Sequence, residues 1–547
     1  MPEPDSHLLE VRDLSVRFHA AGQTVDAVKG VSWHLDRGET LAILGESGSG
    51  KSVSASAIMN LIDCPPAEIV SGEILFDGKD LLKMDDEARR EINGRRIAMI
   101  FQDPFSHLNP VYPIGWQIVE AMTAHDMSRA DAKARATELL RRVGITDKRA
   151  MRKFPHQFSG GQRQRIMIAM ALALKADILI ADEPTTALDV TVQADVLALL
   201  EELQAETGMG LLLITHDLGV VAEVADRVVV MSKGEAVEKG TAHQIYHAPK
   251  HPYTRALVGA VPGQGALHEP QSANAPILVV EDMRKSYGGF DALKGVSFEM
   301  MAGETLAIVG ESGSGKSTLA RTLLQLEEPT GGRALWHGSN LFEKSGGEMQ
   351  KVRRAMQMVF QDPTQSLNPR MSVFQIVSEA FVIHREILPK ARWKARVEEL
   401  LVQVGLGPEH MDRYPHQFSG GQRQRIAIAR ALAMEPELIV CDEAVSSLDV
   451  SIQAQVIKLL DRLRRELGIA FMFIAHDLPV VRDFADRVIV MKDGEIVETG
   501  TVREIFENPQ VPYTQALLAA SLDPDPDVQA TRRADRDAGR TNAASAA

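Results

Sequence analysis

Cysteine is nearly absent from this sequence: its 547 residues include two, Cys64 and Cys441. Two thiols cannot build a disulfide framework, a four-cysteine zinc site or an iron–sulfur cluster held by cysteines alone. Long hydrophobic runs are missing as well. No window approaches the roughly 18 apolar residues needed to cross a bilayer, and stretches such as Leu211–Thr215 and Leu438–Cys441 soon meet charge or His. The start, Met1-Pro2-Glu3-Pro4-Asp5, has no basic run followed by an apolar core, so no secretory signal is visible. A soluble, cytoplasmic chain is expected, with any membrane part supplied by other subunits. An excess of positive charge is lacking too. Sixty Lys and Arg against 74 Asp and Glu leave a net charge of −14, which argues against a surface that wraps nucleic acid.

What is present suffices for several packed cores: 45% of residues are hydrophobic and 24% charged, in a chain too long for one ordinary domain. Internal repetition decides the organisation. Gly45-Glu46-Ser47-Gly48-Ser49-Gly50-Lys51-Ser52 returns as Gly310-Glu311-Ser312-Gly313-Ser314-Gly315-Lys316-Ser317, 265 positions later. Phe101–Pro104 returns 259 positions later as Phe360–Pro363, and Pro155–Ile166 returns 260 positions later as Pro415–Ile426. The drift places a short insertion in the first copy between Lys51 and Phe101. Two homologous domains in tandem follow, at 1–262 and 276–521. Residues 263–275 carry the Pro, Gly and polar composition of a flexible linker. From Asp523 the chain alternates Asp, Pro and Arg with almost nothing to bury, so 522–547 reads as a disordered tail.

Within each copy, Thr40–Leu44 and Thr305–Val309 read as buried strands. Asp177–Ala181, Leu211–Thr215 and Arg227–Met231 look similar, with a helix across Val192–Thr207. Strand–helix alternation gives an α/β class with a largely parallel sheet covered on both faces. Lys492-Asp493-Gly494-Glu495 supplies a hairpin turn, which adds an antiparallel strand.

Each Gly-x4-Gly-Lys-Ser run follows a strand and fits a P-loop, whose glycines turn backbone N–H groups toward phosphate oxygens at a helix start. Lys51 and Lys316 would reach the β- and γ-phosphates of a nucleotide, and Ser52 and Ser317 would ligate Mg²⁺. A glycine-rich surface turn is the bland alternative, and the strict pattern occurring twice disfavours it. Asp182-Glu183 and Asp442-Glu443 end apolar strands. An isolated acidic pair there is usually a solvated strand end. In register with a P-loop, the aspartate holds Mg²⁺ and the glutamate orients an attacking water. His216 and His476 sit just past the next strand and could reach a γ-phosphate; a packed core histidine is the alternative. Gln102 and Gln361 end strand-like runs, where an amide can contact Mg²⁺ or the attacking water. Ser159-Gly160-Gly161-Gln162 and Ser419-Gly420-Gly421-Gln422 start Arg-containing helices, which suits an anion, although a plain helix cap has the same appearance.

Together these motifs resemble the full set of the ATP-binding cassette (ABC) ATPases: Walker A, Q-loop, signature, Walker B, D-loop (Ala187-Leu188-Asp189 and Ser447-Leu448-Asp449) and switch histidine. The resemblance spans nearly the whole chain outside linker and tail. It implies two P-loop NTPase domains, each with a mainly parallel core sheet, an antiparallel β subdomain and a helical subdomain reaching to about Val143 and Val404. It implies that two ATPs lie between the halves. One would be held by Lys51, Asp182, Glu183 and His216 with Ser419 and Gly421; the other by Lys316, Asp442, Glu443 and His476 with Ser159 and Gly161. Phe18 and Tyr287 align before the P-loops, and both adenine stacking and core packing stay open for them. Phe158 and Phe418 stand where many signatures carry Leu.

Phe101–Pro110, Phe360–Pro369, His251-Pro252-Tyr253-Thr254 and Val511-Pro512-Tyr513-Thr514 are similar to dipeptide and oligopeptide importers, and Gly50-Lys51-Ser52-Val53-Ser54 with Asp442-Glu443-Ala444-Val445-Ser446 are similar to fused two-cassette subunits of this type, including those for glutathione and microcin C-like peptides. The resemblance implies two transmembrane permease subunits as partners, a solute-binding protein acting through them, no nucleic acid, and peripheral attachment at the cytoplasmic face of the inner membrane. A sugar-importer tandem ATPase and a ribosome-acting tandem cassette are the rival readings. The latter usually carries a long, charged, helical connector, which this chain lacks.

Overall fold

The computed structural model describes residues 7–20, 23–103, 107–185, 188–263, 265, 267, 275–446 and 448–534. Parts of the expected motifs (Pro104, Ala187 and Ser447), most of the linker and residues 535–547 lie outside them. The chain forms two compact units, one taking Met1–Val261 together with Leu522–Ala547, the other Pro262–Ser521.

The first unit contains β1 (Leu9–Ala20), β2 (Gln23–Leu35), β3 (Thr40–Leu44), β4 (Ala67–Phe76), β5 (Lys79–Asp80), β6 (Ile97–Ile100), β7 (Ile178–Asp182), β8 (Gly210–Thr215), β9 (Arg227–Ser232) and β10 (Glu235–Thr241). A six-stranded sheet runs β10-β9-β3-β8-β7-β6, parallel except for β10. Every residue of β3, β7 and β8 is buried, which explains why these strands are apolar without alternation: helices cover both faces. A second, antiparallel sheet runs β2-β1-β4-β5.

The second unit repeats this plan. Its strands are β11 (Pro276–Tyr287), β12 (Phe290–Met301), β13 (Thr305–Val309), β14 (Gly331–Trp336), β15 (Ser339–Asn340), β16 (Met356–Val359), β17 (Leu438–Asp442), β18 (Ala470–Ile474), β19 (Arg487–Lys492) and β20 (Glu495–Thr501). The main sheet is β16-β17-β18-β13-β19-β20 and the antiparallel one β12-β11-β14-β15. The expected hairpin joins β19 and β20: Lys492 pairs with Glu495, and Asp493 and Gly494 have φ of 48° and 85°. Two consecutive positive φ values define the tight turn that matches strand twist.

The insertion inferred from the repeat lies largely in β4, ten residues long against six in β14. It extends the antiparallel ladder, so that β1 pairs with β4 out to Phe18 and Ala67. Helical subdomains follow the glutamines as expected. In the first unit Ile114–Thr123 and Arg129–Arg142 bury Ile118, Met122, Leu139 and Leu140 in one core with Ile166 and Ile168 of the helix Gly160–Ala171. Val373–Ile383 and Trp393–Gln403 do the same against Gly420–Leu432.

The tail departs from expectation. Residues 526–534 are helical, and Leu522 packs against the first unit's core. Gln529 is fully buried and hydrogen-bonds the buried Glu223, while Arg533 lies 2.8 Å from Glu201. A composition poor in apolar residues hid a docking segment, because its anchors are one leucine and paired polar groups. The expectation of disorder is therefore wrong for 522–534.

Candidate nucleotide site

Each phosphate loop bridges a core strand and a helix. After β3 the chain passes Gly45 and enters the helix Lys51–Ile58 through Gly50, whose φ of 97° lies in the left-handed region. In the second unit Gly315 has φ 102°, and a Cβ there would sit 2.6 Å from the Ala292 carbonyl oxygen. No other residue fits that turn without strain. The buried Lys51 lies inside the loop, its Nζ donating to the carbonyls of Gly45 (2.6 Å) and Glu46 (3.0 Å). Lys316 Nζ does so to Gly310 (2.8 Å) and Glu311 (2.9 Å).

The strand-end carboxylates close on these loops. Ser52 Oγ donates to Asp182 Oδ1 at 3.1 Å, and Ser317 Oγ to Asp442 Oδ1 at 2.8 Å. Burial pushes the Asp182 carboxyl up to about 6, and the neighbouring Glu183 adds to this against the opposing Ser52 hydrogen bond and Lys51 charge. Asp442 is raised for the same leading reason. A buried carboxylate that resists ionisation, next to a hydroxyl, is a set of hard oxygen donors that a small divalent cation suits.

Glu183 and Glu443 have φ of 46° and 48°. Left-handed backbone at a non-glycine residue costs about 1–3 kcal/mol and collects at functional positions. Here it turns the glutamate side chain toward two holders. Gln102 Nε2 donates to Glu183 Oε2 at 2.7 Å, and His216 Nδ1 lies 3.1 Å from Oε1. Gln361 Nε2 likewise donates to Glu443 Oε2 at 2.7 Å, with His476 Nδ1 3.5 Å away. Burial opposes ionisation of Glu443, yet the His476 hydrogen bond and charge outweigh it and hold the carboxyl below its usual range. Gln102 and Gln361 are thus found on the glutamates, although a direct metal contact was also expected.

The signature residues stand apart within each unit. Ser159 caps the helix Gly160–Ala171 in a reciprocal box with Gln162, and Ser419 does so with Gln422. Among the described residues, no hydrogen bond joins either serine to its own unit's phosphate loop. Gly161 and Gly421 face Val192 and Ile452 so closely that a Cβ would clash, so part of the motif serves helix packing. Gly160 meets nothing within 4 Å. The two aromatic candidates differ: Phe18 packs partly against the core of its unit, whereas Tyr287 is 43% exposed with Lys285 Nζ 4.8 Å from its ring centre.

Sequence reasoning gave no role to Tyr253 and Tyr513. The Glu46 backbone N–H donates to Tyr253 Oη at 3.2 Å, and Glu311 N–H to Tyr513 Oη at 3.2 Å. Glu238 of β10 steadies this arm by accepting from the Lys250 (2.7 Å) and His251 (2.9 Å) amides. The signal was the repeated Pro-Tyr-Thr; its partner lies about two hundred residues earlier.

This architecture and this doubled site define a tandem P-loop ATPase. An ABC transporter family model matches residues 28–186 and 293–446, and a model for the oligopeptide/dipeptide transporter C-terminal region matches 237–280 and 497–545. The chain belongs to the ABC transporter family and is a fused, ATP-hydrolysing subunit of its oligopeptide/dipeptide class. It is 48% identical to the glutathione import ATP-binding protein GsiA of Salmonella choleraesuis, over 97% of this chain and 93% of that protein. It is 46% identical to the protein of the same name from Pectobacterium atrosepticum, over 96% and 91%. Among solved structures, cbiO1 of Clostridium perfringens, part of the ABC transporter complex cbiONQ, is 34% identical with a TM-score of 0.39, over 43% of this chain and 91% of that one. Membership of the family implies membrane permease partners. No described helix is long and apolar enough to cross a membrane.

Proposed function

We propose that the chain powers peptide uptake from the cytoplasmic face of the membrane, attached peripherally to two permease subunits that receive solute from a binding protein. Glutathione, named for the relatives, is the first cargo to test. The oligopeptide/dipeptide region in both halves favours a peptide over a sugar.

ATP would bind twice. Residues Gly45 to Ser52 wrap the phosphates of one nucleotide, and Gly310 to Ser317 those of the other. By resemblance to the family, each site would be completed by the opposite half's signature: Ser419 and Gly421 for the first, Ser159 and Gly161 for the second. Ser52 with Asp182, and Ser317 with Asp442, would hold Mg²⁺, which when bound offsets charge on the phosphates. Lys51 and Lys316 exchange their loop carbonyls for phosphate oxygens. Glu183 and Glu443 orient the attacking water and accept its proton. Gln102 and Gln361 and the histidines 216 and 476 hold those carboxylates in place, and each is positioned to feel the γ-phosphate leave. Tyr287, the more exposed aromatic, stacks on adenine more readily than Phe18.

The observation that carries this reading is the glutamate held between amide and imidazole on left-handed backbone, present in both units. Separate Glu183→Gln and Glu443→Gln variants test it. Each should lower ATP turnover by about 10²–10⁴-fold at its own site while nucleotide binding persists. Full turnover in either variant would show unequal sites. Near the first helical subdomain, Val111, Tyr112 and Trp116 are exposed, the two rings stacked at 4.1 Å. Such a patch suits a permease helix. Trp116→Ala should therefore cut solute uptake in the assembled transporter and leave basal ATPase unchanged.

A further inference from the structure

The docked tail brings together side chains that the ATPase reaction does not use. His243 and His247 lie four residues apart on the helix Ala242–His247, hence on one face. Their ring centres are 4.4 Å apart. Asp527, at the start of the tail helix, places Oδ2 3.6 Å from His243 Nε2 and 3.2 Å from His247 Nε2. We propose that His243, His247 and Asp527 bind a divalent transition-metal ion of the zinc class, which clasps the tail to the first unit.

Geometry supports this. Metal–ligand bonds of about 2.0–2.1 Å put neighbouring ligand atoms of a tetrahedron about 3.3–3.4 Å apart. The two measured edges bracket that value, and all three donor atoms lie within 4.8 Å of one another. Asp527 is also held from outside the cluster: Gln529 and Leu522 anchor the tail on either side, and the Asp527 amide donates to Asp525 Oδ1 at 2.9 Å. A ligand fixed by other contacts makes a better site than a free one. Asp525 Oδ1 itself lies 3.3 Å from His247 Nε2, a fourth donor atom at hand.

The simpler reading is a pair of exposed imidazolium–carboxylate contacts. That would share the carboxylates of Asp525 and Asp527 between the two rings, whereas a metal takes both rings as neutral ligands. The repeat supplies an internal control. The matching helix of the second unit, Val502–Glu507, has Arg503 and Glu507 where the first has the histidines, and these form an ordinary ion pair at 3.4 Å. The histidine pair occurs in the copy that receives the tail. A second His–His–Asp group, His7, His34 and Asp36, is a poorer candidate because Arg227 Nη1 lies 2.9 Å from His34 Nε2.

Co²⁺ titration of the full-length, ATP-free chain tests the clasp. One equivalent should bind with the visible absorption of a tetrahedral ion and be displaced by Zn²⁺. Asp182→Asn should leave that signal intact. His243→Ala, His247→Ala and Asp527→Asn, all at exposed positions, should each weaken binding roughly tenfold or more. Zn²⁺ should slow tryptic cleavage after Arg532 and Arg533 in the wild-type chain and not in these variants. Absence of a stoichiometric cobalt band, binding indifferent to the substitutions, or tail protection that rises on acidification without metal would each overturn the proposal.

Discussion

A buried carboxylate beside a second carboxylate costs stability, and Asp182 is in that position. Its folded-state value of about 6 lies above the ordinary carboxylate range because burial disfavours the charge. The folded chain therefore keeps a proton that the unfolded chain has lost between about pH 4 and 6. Stability must fall as pH rises through that window, and the penalty is complete above it. Asp182→Asn removes the ionisation. In nucleotide-free protein it should stabilise the first unit at pH 7.5 by about 1–2 kcal/mol and by less at pH 5, while hydrolysis at that site is lost. Denaturant unfolding at the two pH values reads the difference; a gain independent of pH would rule out burial of the charge as the cause. At this scale the sequence was informative. Lys51, Ser52, Asp182, Glu183 and His216 belong to short patterns whose chemistry demands those residue types at those spacings. That Gln102 and His216 share Glu183 between them was not legible, since the contact to Gln102 closes a gap of 81 residues.

The start of each signature helix combines two demands, and its glycines separate them. At Gly161 a Cβ would lie 2.6 Å from Val192 Cγ1, on the helix Val190–Thr207. Gly161→Ala should destabilise the first unit by about 1–3 kcal/mol through overpacking, and Val192→Ala should restore much of that loss. At Gly160 nothing within the unit opposes a methyl group. Gly160→Ala should keep or slightly raise thermal stability, because alanine favours helix. If the opposite nucleotide rests on this backbone, ATP turnover should nonetheless fall. Unchanged turnover would return the motif to a helix cap. The arm carrying Tyr253 makes a related point about elements. Its Pro-Tyr-Thr was conspicuous as a repeat, but only the fold sets the phenol against the phosphate loop. Removing one neutral hydrogen bond is worth about 0.5–1.5 kcal/mol. Tyr253→Phe should accordingly raise the KM for ATP a few-fold and leave kcat nearly unchanged, with Tyr513→Phe matching it at the other loop. A kcat loss with KM unchanged would instead implicate the phenol in the chemistry.

Across the whole molecule, the repeat made two α/β domains legible from sequence, because period and motif order survive divergence. The path of the chain did not follow from it. The first unit is built from two chain segments, since the last described residues return to it after the second unit is complete. Composition argued for disorder there because burial scales are dominated by apolar area, and this segment is held instead by Leu522, a buried Gln529–Glu223 contact and Arg533 at Glu201. Deleting 522–547 would leave Glu223, 3% exposed, without the Gln529 amide, and would uncover the seat of Leu522 beside Gly219. Losing a hydrogen bond to a buried charged group costs about 1.5–3 kcal/mol, and the lost apolar contact adds to it. The truncated chain should therefore melt in two steps, with the first unit's transition lowered and the second unit's unmoved. Gln529→Ala should reproduce part of the shift. If both transitions fell together, or neither moved, the tail would not be a structural part of the first unit.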